Sequence, residues 1–268
     1  TLTVCDDTRA AEPIGRPSPG IRFHGAGGAV DEDAIGEWSP LRQWASGQAA
    51  VSGFDFKSPR PIHADTVTIA EQGDIPQLEV HSYEGHYGFK HQSGAYQLTR
   101  LRMEEIEARG KLYEAQGNNR HVAPGKWFRL LGHFSESEDS EFLILEVHHE
   151  ASNNYLQGKD ARAEYKNRLL CQPKALPWRP GRGFNSTDTR LLALQTAIVV
   201  GREGQGSLNV DQYGRIQVRF HWDRDESGSC WVRVSSNWAG GEKGLSSHPR
   251  VGSEVIVQWL DGNPDHPI

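Results

Sequence analysis

The chain of 268 residues has few cysteines and no long apolar run. Its cysteines, Cys5, Cys171 and Cys230, lie far apart and form no CxxC pair, which excludes a zinc knuckle and a disulfide framework. We expect three buried free thiols. No apolar run is long enough to cross a bilayer, and no basic segment followed by an apolar one opens the chain. The sequence therefore predicts neither a transmembrane helix nor a signal peptide, and we expect no stable membrane insertion.

The chain also has no excess of positive charge. Its 29 Lys and Arg residues against 35 Asp and Glu residues give a formal net charge of -6, and no run of basic residues could neutralise several phosphates. Hydrophobic residues make up only 36% of the chain, whereas 29 glycines and 14 prolines indicate many turns. The composition predicts a loop-rich, mainly β protein that does not bind nucleic acid.

The block from Asp211 to His266 carries the strongest pattern. In YGRIQVRFHW, alternate residues fall on opposite faces of a predicted strand, with Ile216, Val218, Phe220 and Trp222 on one face and Gln217, Arg219 and His221 on the other. The segments CWVRV and EVIVQWL repeat this alternation, and turn-forming residues separate the three segments. The block therefore predicts a five-stranded barrel of the OB type.

The same block resembles a known family. It contains in order D-x-Y-G-R-I-x-V-x-F-x-W-D, S-C-W-V-R-V, W-A-G, P-R-x-G-x-E-V-x-V and D-G-x-P-D-x-P-I, which is far more specific than a short motif. This order resembles the VgrG proteins, the valine-glycine repeat spike of the type VI secretion system, and more distantly the hub and spike of contractile phage tails. The resemblance implies a mainly β fold with minor α content, in which tail-hub-like β-barrels precede an OB-fold-like barrel.

The resemblance also implies a function. A VgrG spike is a structural homotrimer that adapts the hexameric Hcp tube to a membrane-puncturing needle, and it carries effector cargo or adaptor proteins. It assembles in the bacterial cytoplasm and is then secreted into a target cell or the medium. On this resemblance we expect no enzyme activity, no catalytic residue, no cofactor and no metal.

Four regions are predicted along the chain. Residues 1–75 would be a hub β-barrel region truncated at its N-terminus, and residues 76–172 a second hub barrel region with one helix. A linker rich in proline and glycine would span 173–190, and the OB-fold-like neck would span 191–268. The first residue, Thr1, lies in the strand-like LTV, and the chain ends after NPDHPI, so we expect a fragment without the needle.

Local patterns predict individual elements. Strands are expected at LTV, AAVSGFDF, ADTVTIA, 78–89, 127–131 and 141–155, with an acidic hairpin loop between the last two. HGAGGAV and the acidic DEDAIGEWSP would be loops, anchored by Trp38 and Trp44. One helix is expected over 96–116, with a solvated charged face supported by the pairs Glu105 with Arg109 and Glu107 with Lys111.

Several residue clusters invite a catalytic or metal-binding interpretation. The histidines His81, His86, His91, His148 and His149 have a spacing that suits neither a helix face nor a strand pair, so we expect structural or solvent-facing roles. Two carboxylate clusters occur in polar loops, Glu136, Glu138, Asp139 and Glu141, and Asp223, Asp225 and Glu226. Nothing apolar surrounds them to raise a pKa, as sugar cleavage requires, so we expect solvated turns. There is no G-x-S-x-G, and GREGQG lacks the Lys and Ser or Thr of a phosphate-binding loop.

Two alternative functions stay open. A phage-like tail protein that binds or cleaves cell-envelope carbohydrate would use one of the carboxylate clusters. An OB-type single-strand binder would stack bases on Trp222, Trp231, Trp238 or Trp259. However, Trp222 shares the face of apolar residues and is expected in the core, and the region after residue 190 has more acidic than basic residues.

Overall fold

The fold comes from a computed structural model that describes residues 4–15, 18–25, 33–70, 73, 78–86, 89, 91–135, 140–155, 163–184, 187–201, 206–224, 228–238 and 244–268, with backbone alone at 58, 59 and 86. The chain forms two compact units. The first comprises Thr1–Ala50, Asp65–His81 and Tyr96–Gly181, and the second comprises Val51–Ala64, Ser82–Ala95 and Arg182–Ile268. The units change at Gly181, inside the segment predicted as a linker, while the four-region division stays a prediction.

Strands dominate the described residues. They are β1 Gly20–Phe23, β2 Ala34–Arg42, β3 Gln48–Asp55, β4 Ser58–Val67, β5 Glu79–His86, β6 Lys111–Gly117, β7 Trp127–Leu131, β8 Glu141–Ser152, β9 Glu164–Pro173, β10 Gln195–Val200, β11 Gln217–Phe220 and β12 Glu254–Val257. One helix, α1, spans Gln92–Gly110, and short 3-10 turns lie at Thr8–Ala10 and Leu260–Gly262. In the described part of the chain no helix combines the length and apolarity that a bilayer span needs.

A closed barrel is the centre of the first unit. Its strands follow the order β1-β2-β6-β9-β8-β7, with β1 parallel to β2 and β7 and the other neighbours antiparallel. Closure pairs every strand on both sides and leaves no open edge. The interior is filled by alternate residues of these strands, among them Ile21, Ile35, Tyr113, Phe128, Leu130, Phe142, Ile144 and Leu169. The prediction of a mainly β fold with a hub-type barrel is confirmed.

The barrel interior corrects the prediction for DEDAIGEWSP. Most of this segment is strand β2 instead of a loop, because Ile35 is buried in the barrel and Trp38 packs against its core while Glu37 is exposed. Trp38 stacks on Tyr113 at 4.9 Å between ring centroids and meets Phe142 edge-on at 4.6 Å. Trp38 is therefore a core residue. Trp44 is 77% exposed and anchors nothing in the described residues.

The predicted helix over 96–116 was wrong at both ends. Helix α1 begins at Gln92, and residues from Lys111 onward form strand β6, which pairs with β2 and β9. Tyr113 and Ala115 alternate into the barrel, so tertiary pairing overrides the charged helical pattern at this point. Lys111 therefore cannot form a helical pair with Glu107. The charged face is not wholly solvated either, because Glu107 is buried.

The other strand predictions were largely right. AAVSGFDF contains all of β3 except Gln48, ADTVTIA contains the end of β4, and residues 79–86 form β5, in a sheet of order β4-β3-β5. Strands β7 and β8 pair as the predicted hairpin, with Phe128 opposite Phe142. Of LTV only Val4 is among the described residues, and it is exposed and lies in no strand. Strands β1, β9 and β10 were not predicted from the sequence.

The OB-like region contains a sheet of order β11-β10-β12. Ile216, Val218, Val232, Val257 and Trp259 form most of its buried core, as the alternation predicts. Bridges from Ile216 to Val232 and from Trp259 to Pro267 extend the pairing beyond the named strands. The prediction for Trp222 was wrong: β11 ends at Phe220, the chain turns, and Trp222 is 68% exposed.

The cysteine prediction was half right. All three thiols are free, but only Cys171 is buried, inside the barrel. Cys5 and Cys230 are exposed, because neither lies on an inward-facing strand position.

Candidate functional site

The histidines singled out in the sequence do not converge on a metal site. His81 is exposed on β5, His91 precedes α1 and is exposed, and His86 is described by its backbone alone. His149 Nδ1 lies 2.7 Å from the Tyr165 hydroxyl. No group of three or more His, Cys, Asp and Glu side chains that could hold a metal occurs among the described residues.

Only two of the candidate carboxylates can be placed, since 136–139, 225 and 226 lie outside the described residues. Glu141 accepts hydrogen bonds from Arg129 at 2.9 Å and Lys174 at 3.1 Å. Those hydrogen bonds hold the pKa of Glu141 below its ordinary value of 4.5. A general acid needs the opposite shift, so the surroundings of Glu141 do not suit sugar cleavage. The Asp223 backbone N–H caps the end of β11 by donating to the Phe220 carbonyl.

Three aromatic rings form a ladder from the core of the OB-like region to its surface. Phe220 stacks on Trp259 at 5.9 Å and on Trp222 at 5.1 Å, with interplanar angles of 17° and 10°. The indole N–H of Trp222 donates to Gln195 Oε1 at 2.9 Å, which fixes the exposed ring. Trp238 is exposed and Trp231 half-buried.

The D-x-Y-G-R part of the signature sequence forms a tight turn around one carboxylate. Asp211 Oδ1 accepts the backbone N–H groups of Tyr213 and Arg215, each at 2.9 Å. Asp211 Oδ2 accepts Nε of Arg215 at 2.7 Å and pairs with its Nη2 at 2.6 Å. The two side chains are only 13% and 17% exposed, so solvent screens this ion pair weakly.

Gly214 of the same turn meets two requirements that only glycine satisfies easily. Its φ of 70° lies in the left-handed region, which disfavours side chains. A Cβ there would also lie 2.6 Å from Nε2 of His248. The glycine of the signature is therefore explained by backbone conformation and close packing together.

The tip of the β3–β4 hairpin, far upstream in the chain, packs against this turn. Phe56, between β3 and β4, meets the Tyr213 ring edge-on at 5.7 Å. The guanidinium groups of Arg233 and Arg215 lie 4.8 Å and 5.8 Å from the Phe56 ring centroid, within cation–π range. Lys57 lies 5.1 Å from the Tyr213 ring. We call Phe56, Tyr213, Arg215 and Arg233 the hairpin cluster; it belongs entirely to the second unit.

The outer face of the barrel carries a shallow polar groove. Two adjoining cavities, of about 410 and 450 Å³, share the row Glu37, Gln116, Arg168 and His148, which lie side by side on β2, β6, β9 and β8. Glu114 and Glu146 flank this row. The groove contains the charged side chains of Glu37, Arg168, Glu114 and Glu146. None of them forms an ion pair within the part of the chain that the structure describes. The groove is thus an available polar surface.

Large apolar side chains are exposed along the OB-like region. They are Leu192, Leu194, Leu208, Val210, Tyr213, Trp222, Trp238, Leu245, Val251 and Ile256. Exposed apolar surface of this kind is available for association with other protein subunits. Sequence reasoning missed this property because it assigned Trp222 to the core, and it missed Phe56 because a lone aromatic in a turn has no periodic signal.

Two family descriptions match the chain. Residues 1–155 match the phage tail baseplate hub (GPD) family, and residues 196–268 match the type VI secretion system/phage-baseplate injector OB domain. The order, hub region before OB domain, is the order that the sequence predicts.

VgrG proteins are among the curated relatives, and several are described as type VI secretion system spike proteins. VgrG1b of Pseudomonas aeruginosa is 32% identical over 245 residues, covering 89% of this chain and 32% of that protein. VgrG5 of the same organism is 33% identical over 287 residues, covering 100% of this chain and 35% of that protein. The actin cross-linking toxin VgrG1 of Vibrio cholerae is 28% identical, covering 100% of this chain and 24% of that protein. The chain spans about a third or less of the length of these relatives.

Solved structures of low identity were also found. The E. coli c3393 protein, a component of the type VI secretion system, aligns with a TM-score of 0.48 at 15% identity, covering 92% of this chain and 47% of that chain. The Francisella PdpA-VgrG complex in its half-lidded form aligns with a TM-score of 0.42 at 5% identity, covering 83% and 40%. The hub match covers 155 of 268 residues. The chain therefore belongs to the phage tail baseplate hub (GPD) family, and its resemblance to the VgrG spike proteins is confirmed.

Proposed function

We propose that this chain is the hub and OB-like neck of a type VI secretion spike, with a structural and non-enzymatic role. The main support is that the same chain matches the baseplate hub family in its first part and the injector OB domain in its last part. VgrG spike proteins are similar to it over most of its length. In this role the chain forms a homotrimer that adapts the hexameric Hcp tube to a needle beyond the OB-like region.

The fold suits a part that transmits force. A closed barrel has all its strands paired, and its close-packed interior resists compression. In the second unit, the hairpin cluster ties the β3–β4 tip to the signature turn, so that a distant chain segment supports the OB-like sheet. Both features favour a stiff structural element over a domain on a flexible linker.

Trimer assembly supplies an occupant for the exposed apolar side chains. An obligate trimer would bury extensive apolar area, of order 2,000 Å² or more per contact. We expect light scattering to give three times the chain mass of 29.9 kDa at micromolar concentration. A stable monomer under these conditions would contradict assembly by this part of the protein alone.

The tube contact has a separate test. The trimer should co-elute with purified hexameric Hcp from the same bacterium, and an Hcp protein from a distant system is the control. No co-elution with a chain that does form trimers would refute the adaptor role while leaving the trimer intact.

Cargo delivery and secretion complete the proposal. Effectors or adaptor proteins would travel with the spike, which would assemble in the cytoplasm and leave the cell on sheath contraction. Epitope-tagged protein should appear in the medium of a strain with a working sheath and stay in the cells of a sheath-deficient strain. Equal release from both strains would contradict contraction-dependent secretion.

A further inference from the structure

A further cavity, in the first unit and separate from the polar groove, has no part in the proposed structural role. It measures about 570 Å³, within the range of small-ligand sites, and lies between the end of α1, the segment after β2 and the segment after β9. We call it the α1-end cavity. The side chains that matter for its chemistry are Trp44, Ile69, Leu176, Glu107, Lys111 and Arg42.

The rim of the α1-end cavity is unusually apolar for an exposed surface. Trp44 is 77% exposed and Ile69 is 76% exposed, and both line the cavity. The half-buried Leu176 adds apolar wall. An apolar side chain placed between Trp44 and Ile69 would remove apolar area of both residues from water, which is favourable.

The cavity also contains a buried carboxylate that is only half used. Glu107 is 3% exposed, and its Oε1 accepts Thr68 Oγ1 at 2.5 Å and the Ile69 backbone N–H at 2.7 Å. Its Oε2 has no hydrogen-bond partner among the described residues and is not completely enclosed by protein. A buried carboxylate oxygen gains from a donor, because desolvation without a hydrogen bond is costly.

Two cationic side chains, Lys111 and Arg42, also line the cavity and restrict which ligand could supply that donor. Lys111 is exposed with no ion pair among the described residues, and Arg42 donates to the Leu41 carbonyl and the Tyr113 hydroxyl. Since both line the same cavity as Glu107, a ligand there meets a carboxylate acceptor on one side and cationic donors on the other. A neutral group with a donor beside an acceptor satisfies both signs.

The peptide unit is such a group. We propose that the α1-end cavity binds an apolar peptide segment of another protein, whose backbone N–H donates to Glu107 Oε2 and whose carbonyl accepts from Lys111. The apolar side chain of that segment lies between Trp44 and Ile69. A hydrogen bond to a carboxylate orients the backbone, while the apolar side chain provides most of the buried area.

The test uses the whole chain with a small peptide mimic. N-acetyl-L-leucine methyl ester supplies the side chain, one backbone N–H and the carbonyl, and its analogue N-acetyl-N-methyl-L-leucine methyl ester has no N–H donor. Binding is followed by the NMR signal of the Trp44 indole, assigned with Trp44→Phe. We expect a saturable shift with the first compound, and binding about tenfold weaker with the N-methylated one.

Variants separate the carboxylate from general charge effects. Glu107→Gln keeps an oxygen for Thr68 and Ile69 but replaces the free acceptor with a donor, so we expect about tenfold weaker binding. Glu114→Gln, which removes the same charge from an exposed position on β6, should bind as the wild type does. Ile69→Ser should weaken binding without changing the thermal midpoint by more than about 2 °C.

Other results would overturn the proposal. Equal affinity for the two leucine esters, or an unchanged affinity in Glu107→Gln, would show that Glu107 is not the acceptor. If Glu107→Gln instead changed the oligomeric mass and the chain bound neither ester, the cavity would belong to a contact between copies of this chain.

Discussion

Replacing Asp211 with alanine tests whether the signature turn holds the OB-like region together. The change removes the single oxygen, Oδ1, that accepts two backbone N–H groups, and both contacts to the Arg215 guanidinium. Arg215 would remain only 17% exposed with no carboxylate beside it. The physical effect is therefore an uncompensated, partly buried cation together with a turn that has lost its internal hydrogen bonds.

The expected magnitude follows from that geometry. Removing one partner of a buried ion pair costs about 3–5 kcal/mol. Arg215 keeps its ring contacts with Tyr213 and Phe56, and the pair is not fully buried, so we expect about 2–4 kcal/mol for Asp211→Ala. Asp211→Asn keeps one oxygen for the two backbone N–H groups and should lose about 1–2 kcal/mol.

A local measurement is needed because the chain has two compact units and need not unfold in one step. Hydrogen exchange of the amides from Tyr213 to Phe220 gives the opening free energy of this region directly. A double-mutant cycle with Arg215→Met should give a coupling above about 1 kcal/mol. A loss below about 0.5 kcal/mol for Asp211→Ala, or additive single changes, would refute the reasoning.

The same pair has a signature in pH. Burial raises the pKa of Asp211. The hydrogen bonds from the Arg215 side chain and from the Arg215 and Tyr213 N–H groups together lower it by more, so the pKa lies below its ordinary value of 3.8. A lowered folded pKa means that this stabilisation is complete above the unfolded pKa and is lost as the pH falls through the folded pKa. The difference between wild type and Asp211→Ala should therefore be constant above about pH 5 and shrink below 3.8.

Three further outcomes are expected. Gly117→Ala should lower the opening free energy of β6 in hydrogen exchange by about 1–3 kcal/mol, because its Cβ would lie 2.4 Å from the backbone oxygen of Ala34. Phe56→Ala should lower the opening free energy of the signature turn by about 1–3 kcal/mol in hydrogen exchange, through lost ring and cation–π contacts. Cys230 should react with a thiol reagent in the native protein while Cys171 does not, because Cys171 is buried and desolvation raises its pKa.

Each outcome has a matched control. Gly125 has open space around its Cβ position but a φ of 77°. Gly125→Ala should therefore destabilise the chain through backbone strain alone, without a steric clash like the one expected for Gly117→Ala. Lys57→Ala removes an exposed neighbour of Phe56 and should have a smaller effect on the turn. Equal labelling of Cys171 and Cys230 in the folded chain would contradict the burial of Cys171.

The sequence predicted elements whose signal is local. Alternation in the block after Asp211 placed Ile216 and Val218 in the core, and both are buried. The same rule failed at Trp222, because alternation cannot show where a strand ends and a turn reorients the next side chain. Helix α1 shows the same limit: a charged helical pattern continues past Gly110, but pairing with β2 and β9 makes the following residues a strand.

By itself, the sequence determined the mainly β class, the order of hub and OB regions and the family, because these depend on period-two patterning and on a long ordered signature. Only the tertiary structure decided the hairpin cluster and the α1-end cavity. Phe56 reaches Tyr213 from far upstream, and Glu107 on α1 meets Thr68 after β4. Such contacts join residues that are distant along the chain, so packing of whole elements brings them together and no local pattern encodes them.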